Sequence, residues 1–307
     1  MYQAKDFIET AEGLVFAVVE AGLEQQTIRC FLRYIATNGH WQKVASDEAN
    51  RYLSQHYPQY LFYSAQLDAS LHGVEHNAVI KQYSPRSGLA RLLRQPAEDA
   101  VIADLQALCQ LFAEYGIDSQ ELGITGSCLI GMQNHNSDLD LVLYQRDSFQ
   151  QIRAVVQYLI AENHCQALDD QDWLASYQRR GCDLSLDDYI WHEQRKYNKA
   201  LFRQRKFDLS LVSVGLEQSS FHKLGTIQLV AKVVDDQFGF DYPARFMLDH
   251  PSISSVVSFT ATYSGQAQTG EFIQIAGQLE QDHKGEQRIV VGSNREALGE
   301  YIKVIHA

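Results

Sequence analysis

Between Gly13 and Tyr34 two apolar runs, LVFAVV and TIRCFLRYI, flank the polar stretch AGLEQQ, a pattern that predicts two strands joined by a loop. A further strand is expected from Tyr60 to Leu67, with a short helix over Asp47 to His56 before it. The step Tyr83-Ser84-Pro85 predicts a break, because the residue before proline is pushed out of the helical region. Residues 1–95 therefore read as an N-terminal α+β accessory domain. Beyond Pro96, the residues Val101, Leu105, Leu108, Phe112 and Tyr115 recur at alternating spacings of four and three and mark one face of an amphipathic helix that stops near Gly116.

Next come a short strand ELGIT, a glycine-containing turn, a strand DLDLVLY, a helix near Ser148 to Asn163, a polar helical stretch reaching about Phe202, and a strand FDLSLVSV. This alternation predicts a small α/β unit over 96–215. From Gly225 the pattern changes to short alternating runs at Ile227 to Val234, Ser255 to Tyr263, Glu271 to Leu279, Arg288 to Val291 and Tyr301 to Ile305. Turn-formers such as Ser264-Gly265, His283-Lys284-Gly285 and Gly292-Ser293-Asn294 separate them, so 216–307 is expected to form a small β-barrel or sandwich. The fold class is thus α+β or α/β, in several domains.

Composition narrows the setting. The 307 residues are 45% hydrophobic with only 5 Pro, enough apolar material for sizeable cores and little for long disorder. With 26 Lys plus Arg against 38 Asp plus Glu, the formal charge is -12, unlike a protein that coats nucleic acid through a basic surface. The longest apolar run near the start, Leu14 to Val19, is far too short to cross a bilayer, and MYQAKDFIET, with three charges and no apolar block, is not expected to act as a secretory signal. No membrane association and a cytoplasmic location are expected. Five scattered cysteines without a C-x-x-C pair predict reduced thiols rather than a disulfide framework or a zinc site.

The most informative stretch is Gly123 to Leu143, GITGSCLIGMQNHNSDLDLVL. Gly126 lets the backbone turn sharply and approach a ligand closely, and Ser127 adds a hydroxyl beside free amides, a combination suited to phosphate oxygens. Asp138 and Asp140 lie two apart on the following strand, so both carboxylates leave one face while Leu139, Leu141 and Leu143 leave the other. Two like charges this close repel, a cost that a divalent cation such as Mg²⁺ removes. In FDLSL, Asp208 repeats the design, and three such carboxylates suit two metal ions acting on a nucleotide triphosphate.

These residues resemble the DNA polymerase beta-like nucleotidyltransferase superfamily, whose signature is Gly-Ser, a spacer of about ten residues, Asp-x-Asp and a distant third acid. Here the spacer runs from Cys128 to Ser137. The chain also resembles a narrower group of predicted nucleotidyltransferases from archaea and bacteria, through FIETAEGLVFAVV, GITGSCLIG with SDLDLVLY, and the late IVVGS with YIKV. The resemblance implies a mixed sheet with flanking helices as the catalytic core. It further implies that Gly126 and Ser127 hold the β and γ phosphates of an NTP such as ATP, and that Asp138 and Asp140 ligate two Mg²⁺ ions, Mn²⁺ being a substitute. Asp208 would complete the catalytic metal site and help deprotonate the acceptor. The implied activity is transfer of NMP from an NTP to a hydroxyl with release of pyrophosphate. The acceptor stays open between an RNA end, a protein side chain and a small alcohol.

Other candidates weigh less. The segment Arg195 to Lys206 holds six cations and no acid, and Arg203 and Lys206, just before the Asp208 strand, are its best candidates for nucleotide binding. Otherwise the segment is a solvated helix face. Asp170 and Asp172 repeat Asp-x-Asp without the Gly-Ser turn or the apolar alternation. His72 and His76 have helical i,i+4 metal spacing but no third ligand, which favours structural histidines. Cys128 lacks the partners a nucleophile needs. Two other classes compete with the enzyme: a non-catalytic nucleotide- or RNA-binding module with a vestigial metal site, and a metal-dependent phosphodiesterase, which has no need of the Gly-Ser turn.

Overall fold

The computed structural model describes residues 2–37, 40–66, 69–212, 221–293 and 298–305. It is a mixed α/β protein with three sheets and seven α-helices among the described residues. The expected strand end at Leu67, the last residues of FDLSLVSV, the boundary near 215 and the turn at Asn294 lie outside them. The chain divides into two compact units, 1–155 with 201–216, and 156–200 with 217–307. Residues 1–95 and most of 96–215 thus fold together, while 156–200 joins the C-terminal strands.

The first unit opens with β1 (Phe7–Thr10), β2 (Leu14–Val18), β3 (Thr27–Thr37), β4 (His40–Lys43), helix α1 (Ser46–His56), β5 (Leu61–Ser64), β6 (Ala69–Glu75) and β7 (Val79–Tyr83). They form one sheet in the order β5-β6-β3-β2-β1-β7, with β4 beside β3. The two apolar runs pair antiparallel, with Ala17 against Phe31 and Val18 against Cys30. Alternation sends Leu14, Phe16 and Val18 into a core with Ile28, Leu32 and, from α1, Ala49 and Leu53. Phe7, Val15 and Tyr34 leave the opposite face and pack with Leu129, Ile130 and Met132. Burial on both faces explains why LVFAVV reads as a continuous apolar run.

Helices α2 (Pro85–Arg94) and α3 (Ala100–Glu114) follow, α2 starting at the proline that ends β7. Val101, Leu105, Leu108 and Phe112 are all buried, the stripe the spacing predicts. Then come β8 (Leu122–Ile124), the short helix α4 (Gly126–Leu129), β9 (Leu139–Leu143), α5 (Arg146–Ala161), α6 (Asp170–Arg180), α7 (Leu186–Gln194), β10 (Lys199–Phe202) and β11 (Arg205–Leu211). The polar helical stretch expected to reach Phe202 ends at Gln194, where Tyr197 takes a left-handed φ of 49° and the chain restarts as β10. Arg203 and Gln204, both at positive φ, form the two-residue turn into β11. These strands make a sheet in the order β10-β11-β9-β8.

The second unit contains α6 and α7 and the strands β12 (Phe221–Asp235), β13 (Ala244–Asp249), β14 (Ile253–Ser258), β15 (Phe272–Asp282), β16 (Gln287–Val291) and β17 (Tyr301–Val304). Their order is β12-β13-β14-β16-β15-β17, and β12 also pairs with β15, so the hydrogen-bonded path returns to its start. Val233, Phe246, Val256, Ile273, Ile275 and Ile289 fill its core, with Trp173 and Tyr189 from the two helices. No described helix is long and apolar enough to cross a membrane. The cysteines are free, four of them buried.

Leu129, 2% exposed, joins the N-terminal sheet to the segment that opens the Gly-Ser turn. Replacing it by Ala should cost about 2–5 kcal/mol in urea unfolding, the usual range for a buried leucine. A loss below about 1 kcal/mol would contradict this packing role.

Candidate functional site

The candidate site is built on the parallel pair β9–β11. In-register pairing sets Phe207 beside Leu139, Asp208 beside Asp140 and Leu209 beside Leu141. Because side chains alternate across a strand, the leucines and Phe207 fall together into a fully buried layer and the two aspartates fall together on the other face. Asp138 is exposed and stands just before β9 rather than on the strand as expected, but its charge acts on Asp140; Asp140 and Asp208 are half-buried. The three acids that the sequence singles out are therefore neighbours.

Asp140 records the crowding. Burial is the main force that pushes its carboxyl up to about 6, and the charges of Asp208 and Asp138 add to the rise. The ammonium groups of Lys5 and Lys43 oppose it. The turn after β8 lies against the same carboxylate. Thr125 donates its amide to the Asp140 carbonyl at 2.8 Å, and a Cβ on Gly126, whose φ is 67°, would stand 2.2 Å from Asp140 Oδ2. Only glycine fits there, by conformation and by space. Ser127 donates its hydroxyl to Ser137 Oγ at 3.2 Å, and Ser137 in turn accepts the Asn134 amide at 3.0 Å, so the spacer folds back on the turn. Burial holds the Cys128 thiol up at about 12, which keeps it protonated and unsuited to nucleophilic attack.

Sequence reasoning missed two kinds of residue here. Arg205 donates to Asp104 at 2.9 Å and to the carbonyls of His135 and Ser137 at 3.0 and 2.8 Å, which fixes the loop entering Asp138. Lys5, in the turn before β1, and Lys43, at the end of β4, lie more than eighty residues before Asp138, and no local motif marks them.

The basic run divides into separate jobs. Lys196, buried, donates to Glu193 at 2.5 Å and to the Thr262 carbonyl at 2.8 Å, and Lys199 reaches the other Glu193 oxygen. Burial alone would raise the Glu193 carboxyl, yet these two cations hold it at about 2, while burial lowers the Lys196 ammonium to about 8. Arg195 pairs with Glu271 at 2.6 Å. These three charges are internal ties, which replaces the picture of a solvated helix face. Arg203 is 58% exposed at the β10–β11 turn, 3.8 Å from Asp104. Lys206 is half-buried and lies two residues before Asp208 on β11, so it shares that residue's face.

The remaining candidates have structural roles. Asp172 closes a capping box with Asp169 at the start of α6. His72 lies on a strand, accepts the Leu32 amide at 2.9 Å and bonds Asn50 at 2.7 Å, while His76 contacts the Tyr2 hydroxyl at 3.0 Å. Among the described residues no three His, Cys, Asp or Glu side chains are already gathered into a metal cage. The donor set of the site, carboxylate oxygens of Asp138, Asp140 and Asp208, nevertheless fits a hard divalent cation.

A carboxyl raised in the folded state favours folding while protonated, and that contribution is lost as pH climbs from about 4 through 6. Asp140→Asn should therefore stabilise the metal-free protein at pH 7 by about 1–3 kcal/mol, with the gain gone at pH 4. Paired thermal melts at the two pH values measure this, and equal gains at both would contradict it.

No family model matches the chain, and no solved structure matches it. It is 31% identical to Uncharacterized protein MJ1086 of Methanocaldococcus jannaschii over an alignment that covers 98% of each chain. Identity at this level along nearly the whole length of both proteins shows that the chain belongs to the same family as this archaeal protein.

Proposed function

We propose that the protein is a Mg²⁺-dependent nucleotidyltransferase of the DNA polymerase beta-like type, moving NMP from an NTP to an acceptor hydroxyl with release of pyrophosphate. The observation that carries this reading is the in-register pairing of Asp208 with Asp140, beside Asp138 and with the Gly126 backbone against the Asp140 carboxylate. A structural sheet gains nothing from three acids set close together. Two divalent ions, when bound, supply the charge that neutralises these acids and polarises the triphosphate.

Asp138 and Asp140 would hold both ions, and Asp208 would complete one ion's shell and accept the acceptor's proton. Gly126 and Ser127 would present amides and a hydroxyl to the phosphate oxygens, a role the short reach of the turn to Asp140 supports. Lys206 is better placed than Arg203 to serve the nucleotide, because it shares the acids' face of β11. We read the returning strand path of the second unit as a small barrel. Five-stranded barrels often present oligonucleotides or oligosaccharides, an analogy of fold alone, so RNA ends are the first acceptors to test. A cytoplasmic location is part of the same proposal. The binding-module alternative predicts ligand retention without pyrophosphate release.

The test is a thermal shift with each NTP, with and without Mg²⁺, since a ligand bound only by the folded state raises the melting temperature by mass action. Stabilisation that needs both Mg²⁺ and NTP, amounts to about 2–3 kcal/mol at a hundredfold excess over Kd, and disappears in Asp138→Asn supports the proposal. NTP stabilisation that is unchanged by Mg²⁺ removal and by the substitution would overturn it.

A further inference from the structure

Lys5 is held in a conformation that suits it poorly. Its φ is 72°, in the left-handed region where a residue with a Cβ is strained and glycine or asparagine is preferred. The backbone is fixed on both sides: its amide donates to the Val18 carbonyl at 2.9 Å, and its carbonyl accepts the Thr125 hydroxyl at 2.9 Å. Thr125 is the residue immediately before Gly126 and Ser127. A strained lysine is thereby tied to the turn that abuts Asp140, while its side chain is exposed. Neither Lys5 nor Lys43, which is also exposed on β4, forms an ion pair among the described residues, although both exert their charge on Asp140. Strain of this kind persists where surrounding structure imposes it, and it clusters at ligand-binding positions.

By contrast, four of the six cations of the basic run are engaged internally: Lys196 and Lys199 on Glu193, Arg195 on Glu271 and Arg205 on Asp104. A nucleotide triphosphate together with the three aspartates carries more negative charge than two divalent ions neutralise, and exposed ammonium groups near Asp140 meet the excess.

We propose that Lys5, seconded by Lys43, clamps the polyphosphate tail of the nucleotide, so that the N-terminal sheet is a working wall of the site. The assignment rests on the nucleotidyl-transfer reading and names residues that this reading does not require. Lys5 would act as a point charge beside the Gly126-Ser127 amides, and Lys43 as a second, weaker one.

The experiment measures binding of magnesium tripolyphosphate and of the four NMPs by calorimetry to wild type, Lys5→Asn, Lys5→Arg and Lys43→Ala. Asparagine tolerates the left-handed backbone, so Lys5→Asn removes the charge without adding strain, and its melting temperature without ligand should equal or exceed that of wild type. Tripolyphosphate affinity should fall at least tenfold in Lys5→Asn and severalfold in Lys43→Ala, remain within threefold in Lys5→Arg, and NMP affinity should stay within twofold throughout. An unchanged tripolyphosphate affinity in Lys5→Asn, or equal losses for tripolyphosphate and NMP, would overturn the clamp while leaving the nucleotidyltransferase reading in place. Wild type that binds neither tripolyphosphate nor any NTP with Mg²⁺ would overturn both.

Discussion

Electrostatic repulsion among three carboxylates is the constraint around which the first unit is organised. In a parallel pair the register decides which side chains become neighbours, and here it brings Asp208 to Asp140. The same alternation that aligns the acids aligns Leu139, Leu141, Phe207 and Leu209 beneath them, and these residues are fully buried. The apolar layer fixes the register, because a slip of one residue would exchange the two faces. Hydrophobic burial thus holds together charges that would otherwise separate, and the raised Asp140 carboxyl is the trace of that opposition.

Around this pair the surroundings are arranged to hold a turn close to charge. The Gly126 backbone occupies space that any side chain would deny, and Thr125 is bonded both to Asp140 and to Lys5. The N-terminal sheet, buried on both faces, supplies Tyr34 and Val15 as the bed for Leu129 and delivers two lysines toward the acids. A segment that reads as accessory is therefore continuous with the site in packing, hydrogen bonding and field. The buried Glu193 and Lys196 with the half-buried Lys199 show the other use of charge in this chain, as a satisfied internal network whose members compensate one another.

Much of the fold and of the site was legible in the sequence because its cause was local. The α3 stripe, the hairpin of β2 and β3, the Pro85 break and the alternation of β9 each follow from residues a few positions apart. Asp140 could be assigned to its face for the same reason, whereas Asp138, expected on the strand, stands just before it. Asp208 was legible only as a second strand of the same design, since its register with β9 is a tertiary fact. Lys5 and Arg205 were not legible: one acts through a left-handed turn and a bond to Thr125, the other through carbonyls about seventy residues away. The cationic run misled for a related reason, because the sequence shows the charges but not the buried Glu193 that binds two of them. Short strands such as β1, β4 and β13 were missed because they carry little periodicity of their own.

The central claim concerns where a divalent cation sits, and anomalous scattering from crystals grown with Mn²⁺ and a non-hydrolysable NTP analogue tests it most directly. The account predicts manganese peaks bridging the carboxylates of Asp138 and Asp140, at least one of them also within coordination distance, about 2.0–2.3 Å, of Asp208. Well-ordered nucleotide with no manganese at these three side chains, or manganese bound only elsewhere in the chain, would contradict it.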